Sequence, residues 1–269
     1  KTRDMSNPNN RMFEEFLRFV DKIAPTWFVF ENVYGLTKFK NGEENIQNHI
    51  ENRFRDIGYT VKSKILYASD FGVPQRRNRL FIVGNRNGID FEFPKEFDYS
   101  VSVDEAISDL PVLGNGEIQM KGEYTVPFEQ ASPYAQLMRK KSKAPTQNIV
   151  SRNKDYVVER YKYIGQGENW SSIPDRLMEN YADKKRCHSG IYKRLIGGKP
   201  SVVISNYRKS MLIHPHQDRG LSVREAARLQ SFPDHFIFEG PVSYVQQQIG
   251  NAVPPLLAKA VMKKILTYK

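Results

Sequence analysis

The stretch Trp27-Phe-Val-Phe-Glu-Asn-Val33 does most to decide the fold class of this 269-residue chain. Its first four residues are apolar and lie between Pro25 and the polar pair Glu31 and Asn32, which predicts a short strand buried on both faces. In open α/β sheets, ligands bind beyond the carboxyl ends of the strands. The sequence therefore places the Glu31 carboxyl group where a functional site is expected.

Helices and further strands surround this segment in the sequence. Helical spacing of apolar residues predicts two helices, at residues 10–23 and 43–57. Strand-like patterns predict two strands, at residues 59–67 and 80–83. The first helix has Asn9 or Asn10 available as its N-cap, and the second stops at Gly58. Helices that alternate with buried strands indicate an α/β sheet domain.

A second module follows this domain. After Gly84 the chain changes to short strand-like pieces rich in Pro, Gly and charge, which continue to about Met211. Within this module, Ser102 and Glu105 form the capping box of a short helix. Two more helices are predicted near the C-terminus, one over 222–230 with its own capping box and one opened by Pro254 and Pro255.

The charge balance and the cysteine count narrow the class of protein. Lys and Arg number 41 against 30 Asp and Glu, a formal charge of +11, which favours a polyanionic partner such as nucleic acid over a merely soluble basic protein. Basic clusters at 138–143 and 184–186 are interpreted first as solvated faces. The single cysteine, Cys187, allows no internal disulfide and no cysteine-based metal cluster. Because no apolar run is long enough to span a bilayer, a cytoplasmic protein is expected.

Four motifs occur in order along the chain. They are Phe30-Glu-Asn-Val33, Phe71-Gly-Val-Pro-Gln-Arg-Arg-Asn-Arg79, Arg224-Glu-Ala-Ala-Arg-Leu-Gln-Ser-Phe-Pro233 and Gly250-Asn-Ala-Val-Pro-Pro255. With a long variable module between the second and the third, this series resembles the ordered motifs of the cytosine-5 DNA methyltransferases. The resemblance implies an α/β fold, with an incomplete Rossmann-like S-adenosylmethionine-dependent sheet domain and a smaller, mixed target-recognition domain.

The resemblance also implies how the chain is divided into domains and which partner it binds. Residues 1–90 are expected to form the C-terminal part of a catalytic domain, and residues 91–211 a target-recognition domain. Residues 212–249 would form a hinge with a support helix that contains Arg224 and Arg228, and residues 250–269 a C-terminal helix that returns to the catalytic domain. The second part would read base edges in the major groove of double-stranded DNA. Side chains available for phosphate are Lys140, Lys141, Lys143, Arg152, Lys184, Arg186 and Arg208. Arg76, Lys141 and Arg208 are the DNA contacts we expect.

The resemblance assigns chemistry to the first two motifs. A carboxyl group bonded to ring nitrogen 3 of a flipped cytosine can share a proton there as charge develops, and Glu31 inherits this role. Gln75, Arg77 and Arg79 alternate, so an extended strand would place them on one face with two fixed cations. By resemblance, Arg79 approaches the flipped base and Arg77 organises the site nearby. The alternatives are a capping carboxylate and a solvated basic strand.

The last motif is expected to contact the cofactor. Gly250, Asn251 and Ala252 precede the helix opened by Pro254, where main-chain groups and an amide side chain can meet a polar ligand. The resemblance implies that Asn251 and Ala252 touch the methionine portion of S-adenosylmethionine. Asn251 can also simply cap that helix.

Two motifs of the family do not occur in this sequence, namely the glycine-rich cofactor loop and the Pro-Cys-Gln segment that bears the nucleophile. Cys187 lies in the variable module and follows Glu-Asn-Val, whereas the nucleophile of the family precedes it. Three explanations fit the missing motifs, and we rank them in this order. The sequence is part of a larger protein whose N-terminal part is omitted, the enzyme is split between two polypeptides, or the protein is a relative that no longer methylates.

The sequence is compatible with two rival functions. One is a non-catalytic DNA-binding or regulatory subunit, which the basic charge would equally support. The other is a methyltransferase acting on RNA or on a small molecule, against which the size of the variable module argues. The setting implied by the resemblance is bacterial restriction and modification, with the protein on the nucleoid when it is bound to DNA.

Overall fold

The computed structural model describes residues 12–38, 40–41, 44–179, 189–205, 207–208 and 211–268. The expected cap at Asn9 or Asn10, the basic cluster 184–186 and Cys187 lie outside these residues. The chain divides into two compact units. The first unit consists of Lys1–Tyr67, Asn78–Glu96 and Ala260–Lys269, and the second of Ala68–Arg77 and Phe97–Lys259.

Short strands and helices alternate along the described residues. The strands are β1 Trp27–Val33, β2 Lys40–Asn41, β3 Glu44–Asn45, β4 Thr60–Tyr67, β5 Asn78–Asn85, β6 Ile118–Lys121 and β7 Thr146–Ile149. The α-helices are α1 Met12–Ile23, α2 Ile46–Asp56, α3 Val103–Ile107, α4 Pro133–Arg139, α5 Asp155–Tyr161, α6 Val223–Leu229, α7 Val242–Asn251 and α8 Pro255–Leu266. Single 3-10 turns lie at Tyr34–Lys38, Ala68–Phe71, Phe128–Gln130, Trp170–Ser172 and Asp175–Leu177. In the described part of the chain, no helix is long and apolar enough to cross a membrane.

The first unit is built on a three-stranded antiparallel sheet in the order β1-β5-β4. One face of the sheet packs against α1 and α2 through a core that includes Phe13, Leu17, Phe28, Phe30, Ile50, Phe54, Leu80 and Ile82. Phe28 lies opposite Gly84 in the register, and a Cβ at Gly84 would come within 2.1 Å of the Phe28 ring. The missing side chain at Gly84 therefore makes room for an aromatic ring, whose burial contributes about 1.5–3 kcal/mol.

Strand β1 differs from the expected strand in two ways. It continues to Val33, so Glu31 and Asn32 belong to the strand rather than follow it. Its burial alternates, with Phe28 and Phe30 buried and their neighbours half-buried, so the prediction of burial on both faces was wrong in the described structure. The cause is that the helices cover one face, and the polar residues at the strand end lie on a partly exposed edge.

The second unit has a core around α3, α6 and α7. Its buried members include Val103, Ala106, Ile107, Leu195, Ile204, Leu212, Ala226, Ala227, Leu229, Val245 and Ile249. Every residue of α6 is buried, and both predicted capping boxes are present, at Ser102 with Glu105 and at Ser222 with Glu225. Helix α7 was not predicted, because it begins after Pro241 without a side-chain cap and its sequence is rich in Gln.

Buried arginines hold this second core in place. Arg228 is fully buried and donates to Asp234, Asp109 and the carbonyl of Ala106. Arg224, also fully buried, donates to main-chain carbonyls, with Nε 2.9 Å from that of Thr146. The expectation that both arginines support structure rather than do chemistry agrees with these contacts, because neither side chain reaches solvent.

Candidate active site

Glu31 and Arg79 form an ion pair at the end of the sheet of the first unit. In the antiparallel register, Arg79 faces Val33, so it lies diagonally across from Glu31 on the same face. Arg79 Nε lies 2.8 Å from Glu31 Oε1, and Arg79 Nη1 donates to the carbonyl of Asn78 at 2.9 Å. The two strands thus fix a carboxylate beside a guanidinium.

The environment of the pair is partly dry. The side chain of Arg79 is 10% exposed and that of Glu31 is 25% exposed. Burial lowers the pKa of Arg79 below its usual range, while the charge and the hydrogen bond of Glu31 oppose that shift. Because a quarter of the Glu31 side chain stays accessible, a planar ligand can approach a carboxyl group that is already oriented.

Gln75 lies in the second unit and faces its interior. Its amide nitrogen donates to the carbonyl of Leu229 at 3.2 Å and to the side chain of Gln230, and its oxygen accepts from the main-chain nitrogen of Ile204 at 3.0 Å. Gln75 is fully buried. The amide therefore joins the segment before β5 to the end of α6.

Arg77 is buried next to Gln75 and holds the end of α7. Its Nη1 donates to the carbonyl of Ile204 at 3.0 Å and its Nη2 to that of Gly250 at 2.8 Å. Gln230 adds hydrogen bonds at 2.9 Å to the carbonyls of Ile249 and Ala252. Carbonyls at a helix C-terminus lack partners within the helix, so a cation and an amide here satisfy them and favour the helix dipole.

The expected alternation of Gln75, Arg77 and Arg79 along one strand was wrong. Strand β5 begins at Asn78, and the preceding residues are folded tightly, with hydrogen bonds from Gln75 N to Val73 O at 2.7 Å and from Arg77 N to Gln75 O at 3.0 Å. These two-residue turns break the alternation on which the prediction depended. As a result, Arg77 is directed into the second core, and Arg79 pairs with Glu31 in the first unit.

The final motif also has a different local structure from the one expected. Asn251 is the last residue of α7 and is exposed, and Ala252 is the C-cap, whose N–H donates to Gln248 O at 3.1 Å. Asn251 therefore ends a helix and does not cap α8. At the start of α8, the N–H of Leu256 donates instead to the Ser231 hydroxyl at 3.1 Å.

Gly250 explains why this motif begins with glycine. A Cβ at Gly250 would lie 1.9 Å from the carbonyl oxygen of Ser205, closer than any side chain can approach. The end of α7 is thus pressed against neighbouring backbone, and its exposed amide at Asn251 is held on a rigid support. The sequence could have signalled Gln230 and Gly250, since both lie in the quoted motifs, but residue type alone did not show that they point inward.

The three expected DNA contacts lie on the surface. Arg76, Lys141 and Arg208 are exposed. Arg76 is anchored through its backbone, where its N–H donates to Ser201 O at 2.8 Å. The structure thus brings together Glu31 with Arg79, and leaves the three surface cations accessible to a ligand.

Comparisons with known proteins give the family. The family model for C-5 cytosine-specific DNA methylases matches residues 1–267. The chain is 34% identical over 288 residues to the type II methyltransferase M.DdeI of Desulfomicrobium norvegicum, covering 99% of the chain and 69% of the relative. It is 35% identical over 262 residues to M1.HphI of Haemophilus parahaemolyticus, covering 97% of the chain and 62% of the relative. The chain thus spans about two thirds of the length of these relatives.

Solved structures show the same fold. A DNA modification methyltransferase encoded within an Escherichia coli prophage matches with a TM-score of 0.71 at 24% identity, covering 97% of this chain and 74% of that one. The Entamoeba histolytica methyltransferase EhMeth matches with a TM-score of 0.57 at 12% identity, covering 98% and 70%. These likenesses confirm the expected α/β methyltransferase fold class, and the family match confirms the resemblance seen in the four motifs. The chain belongs to the C-5 cytosine-specific DNA methylase family.

Proposed function

We propose that this chain provides the cytosine-binding and DNA-binding part of a DNA (cytosine-5)-methyltransferase. The reaction replaces the hydrogen on carbon 5 of a flipped cytosine, in a specific duplex site, by a methyl group. A thiolate adds to carbon 6 and later leaves, and the proton of carbon 5 is lost. The observation that carries the proposal is the Glu31–Arg79 pair, fixed at 2.8 Å on a partly exposed sheet edge.

In this proposal, Glu31 activates the cytosine ring for addition at carbon 6. Addition at carbon 6 moves electron density toward ring nitrogen 3, and a carboxyl group at that nitrogen can hold or share the proton that neutralises the charge. Arg79 orients the carboxyl group through Nε and holds Nη1 on the carbonyl of Asn78. Its Nη2 makes no hydrogen bond among the described residues, and we assign it to the exocyclic oxygen of the cytosine.

Gln75 and Arg77 are positioning residues in this proposal. Both are buried, and their partners are the carbonyls and amides that end α6 and α7. Neither has surface with which to touch a nucleotide. Their contribution is to keep the segment that leads into β5 in one conformation, so that the residues after it enter the strand in the correct register.

The cofactor implied by the family is S-adenosylmethionine, which supplies an electrophilic methyl group when it is bound. Asn251 and Ala252 fit its amino-acid portion, because the exposed Asn251 amide offers both a donor and an acceptor. The close approach of Gly250 to Ser205 fixes the main chain that carries this side chain. We propose that these residues bind and orient the cofactor.

The nucleophile is proposed to come from a Pro-Cys-Gln segment that the 269 residues do not include. Arg76, Lys141 and Arg208 are proposed phosphate contacts, and the variable module of 91–211 is the proposed reader of the DNA sequence. The proposed setting is the bacterial cytoplasm, alongside a restriction activity. The nucleophile segment belongs either to the same polypeptide or to a second one.

Methyl transfer from labelled S-adenosylmethionine to mixed-sequence duplex DNA tests the proposal. The chain is assayed at low salt by itself and together with the segment that carries the glycine-rich loop and the Pro-Cys-Gln cysteine. Incorporation in the second arm alone is expected. Incorporation by the chain alone would contradict the placement of the nucleophile, and no incorporation in either arm, with duplex binding retained, would favour a non-catalytic DNA-binding subunit.

A further inference from the structure

A cavity of about 940 Å³ opens beside β6 and α4 in the second unit. Its charged and aromatic lining consists of Lys121, Glu123, Tyr124, Arg139 and Lys143. Lys121, Glu123 and Lys143 are exposed, and Arg139 is only 7% exposed. Three cations thus face one carboxylate, and the basic cluster at 138–143, read from the sequence as a solvated face, turns one side toward this cavity.

The Arg139 guanidinium forms the inner wall of the cavity. It lies 3.8 Å from the centre of the Tyr124 ring, which holds its plane in a fixed orientation. Its Nη1 donates to the carbonyl of Val126 at 3.2 Å and reaches Asp109 Oδ2 only at 3.4 Å. Among the described residues, its Nη2 makes no hydrogen bond. A buried guanidinium held this way presents donors that the protein itself does not use.

The charges behind the cavity do not balance. Three arginines are buried there, Arg139, Arg224 and Arg228, against the two buried carboxylates of Asp109 and Asp234. Arg228 forms ion pairs with both carboxylates. It lies 3.0 Å from Asp109 and closer still to Asp234. Arg139 therefore shares the Asp109 carboxylate with Arg228 and makes the longer of the two contacts, at 3.4 Å against 3.0 Å. An anion in the cavity would give the Arg139 guanidinium a second, charge-assisted partner.

We propose that this cavity binds a phosphate of the DNA backbone, with Arg139 at its inner wall and Lys121 and Lys143 beside its opening. The inference rests on the proposed function, because duplex DNA is the polyanion that the function supplies. A guanidinium and two ammonium groups match a phosphodiester, and the cavity is larger than one phosphate, as a continuing backbone requires. Glu123 lies on the same lining and keeps the site from becoming uniformly cationic.

Binding at this cavity is connected to the buried scaffold of the unit. The Tyr124 hydroxyl donates to Asp234 at 2.6 Å, and Asp234 accepts from Arg228 on α6. An anion bonded to Arg139 therefore contacts the guanidinium that lies over the Tyr124 ring. The site therefore contacts DNA through residues other than Glu31 and Arg79 and takes no part in the chemistry.

Duplex binding by the full 269-residue chain, measured by fluorescence anisotropy at several salt concentrations, tests the proposal. The double variant Lys121→Ala/Lys143→Ala removes exposed charges only, and Lys22→Ala/Lys263→Ala is the matched control, with the same loss of charge on exposed lysines of the first unit. The first variant is expected to bind about tenfold more weakly at low salt, with a salt slope reduced by about 1 to 2. Equal behaviour of the two variants would overturn the cavity as a DNA site.

A third variant and a second ligand separate the remaining outcomes. Arg139→Lys keeps the buried charge near Asp109 but loses the planar fork, and a loss of about threefold is expected. In one outcome, inorganic phosphate raises the melting temperature of the wild type but not that of Arg139→Lys, while the two proteins show the same salt dependence of DNA binding. The site then takes a small free anion, and the DNA assignment fails. If the wild type does not bind duplex DNA at all, the proposed function fails, a result distinct from failure of the cavity alone.

Discussion

Replacing Arg228 by Met should show how strongly the second unit depends on its buried charges. Arg228 is fully buried and pairs with Asp234, which is also fully buried, and with Asp109 at 3.0 Å. Burial lowers the pKa of Arg228, but the hydrogen bonds and charges of Asp234 and Asp109 outweigh it and raise that pKa above its usual range. Removing the guanidinium leaves the buried Asp234 without an ion-pair partner and leaves Asp109 only the longer contact with Arg139, so Arg228→Met should cost about 3–5 kcal/mol. That is a large part of the roughly 5–15 kcal/mol by which a domain is stable.

Urea denaturation followed by circular dichroism measures this cost. The matched control is Arg18→Met, which breaks an ion pair of 2.9 Å with Glu15 whose side chains are 57% and 56% exposed, and which should cost less than about 1 kcal/mol. Adding Asp234→Asn to Arg228→Met should recover part of the loss, since the carboxylate that loses its ion-pair partner is removed while Asp109 keeps Arg139. A cost for Arg228→Met that equals the control would refute the reasoning.

Two further predictions concern the end of α7 and the response to acid. Gly250→Ala should destabilise the chain by at least about 1–3 kcal/mol in the same assay, because its Cβ meets the Ser205 carbonyl, and an unchanged urea midpoint would contradict the close contact. Burial lowers the pKa of His214 from 6.5 to about 4. As the pH falls, the unfolded chain therefore binds a proton at His214 before the folded chain does. The free energy of unfolding should be at its full value above pH 6.5 and fall by roughly 3 kcal/mol toward pH 4. His214→Gln should flatten this slope in urea midpoints measured from pH 7 to 4.5, and a slope unchanged by the substitution would exclude His214 as its source.

Local patterns were enough to predict the elements that depend on neighbouring residues. The capping boxes at Ser102 and Ser222 follow from residue types three positions apart, and both are present. The stop of α2 before Gly58 follows from the left-handed conformation that glycine accepts, and φ is +88° there. Interactions of this range are encoded within one turn of the chain, so no tertiary information is needed.

The direction of the long polar side chains could not be predicted in the same way. Arg77 finds its partners 127 and 173 residues later, at the carbonyls of Ile204 and Gly250, and Gln75 finds Gln230 at a separation of 155. Only tertiary packing brings these groups together. A motif rich in Arg therefore looked like a cationic face, although one of its guanidiniums is structural and another is paired with Glu31.

The measurement that tests the central claim most directly is methyl incorporation by the complemented chain carrying Glu31→Gln. The matched control is Glu96→Gln, an exposed carboxylate of the same unit that pairs with Lys64 at 3.1 Å. Glu31→Gln should lower incorporation about a hundredfold or more at unchanged duplex binding and unchanged melting temperature, while the control keeps its activity. Incorporation by Glu31→Gln equal to that of Glu96→Gln would contradict the assignment of the Glu31–Arg79 pair to the cytosine.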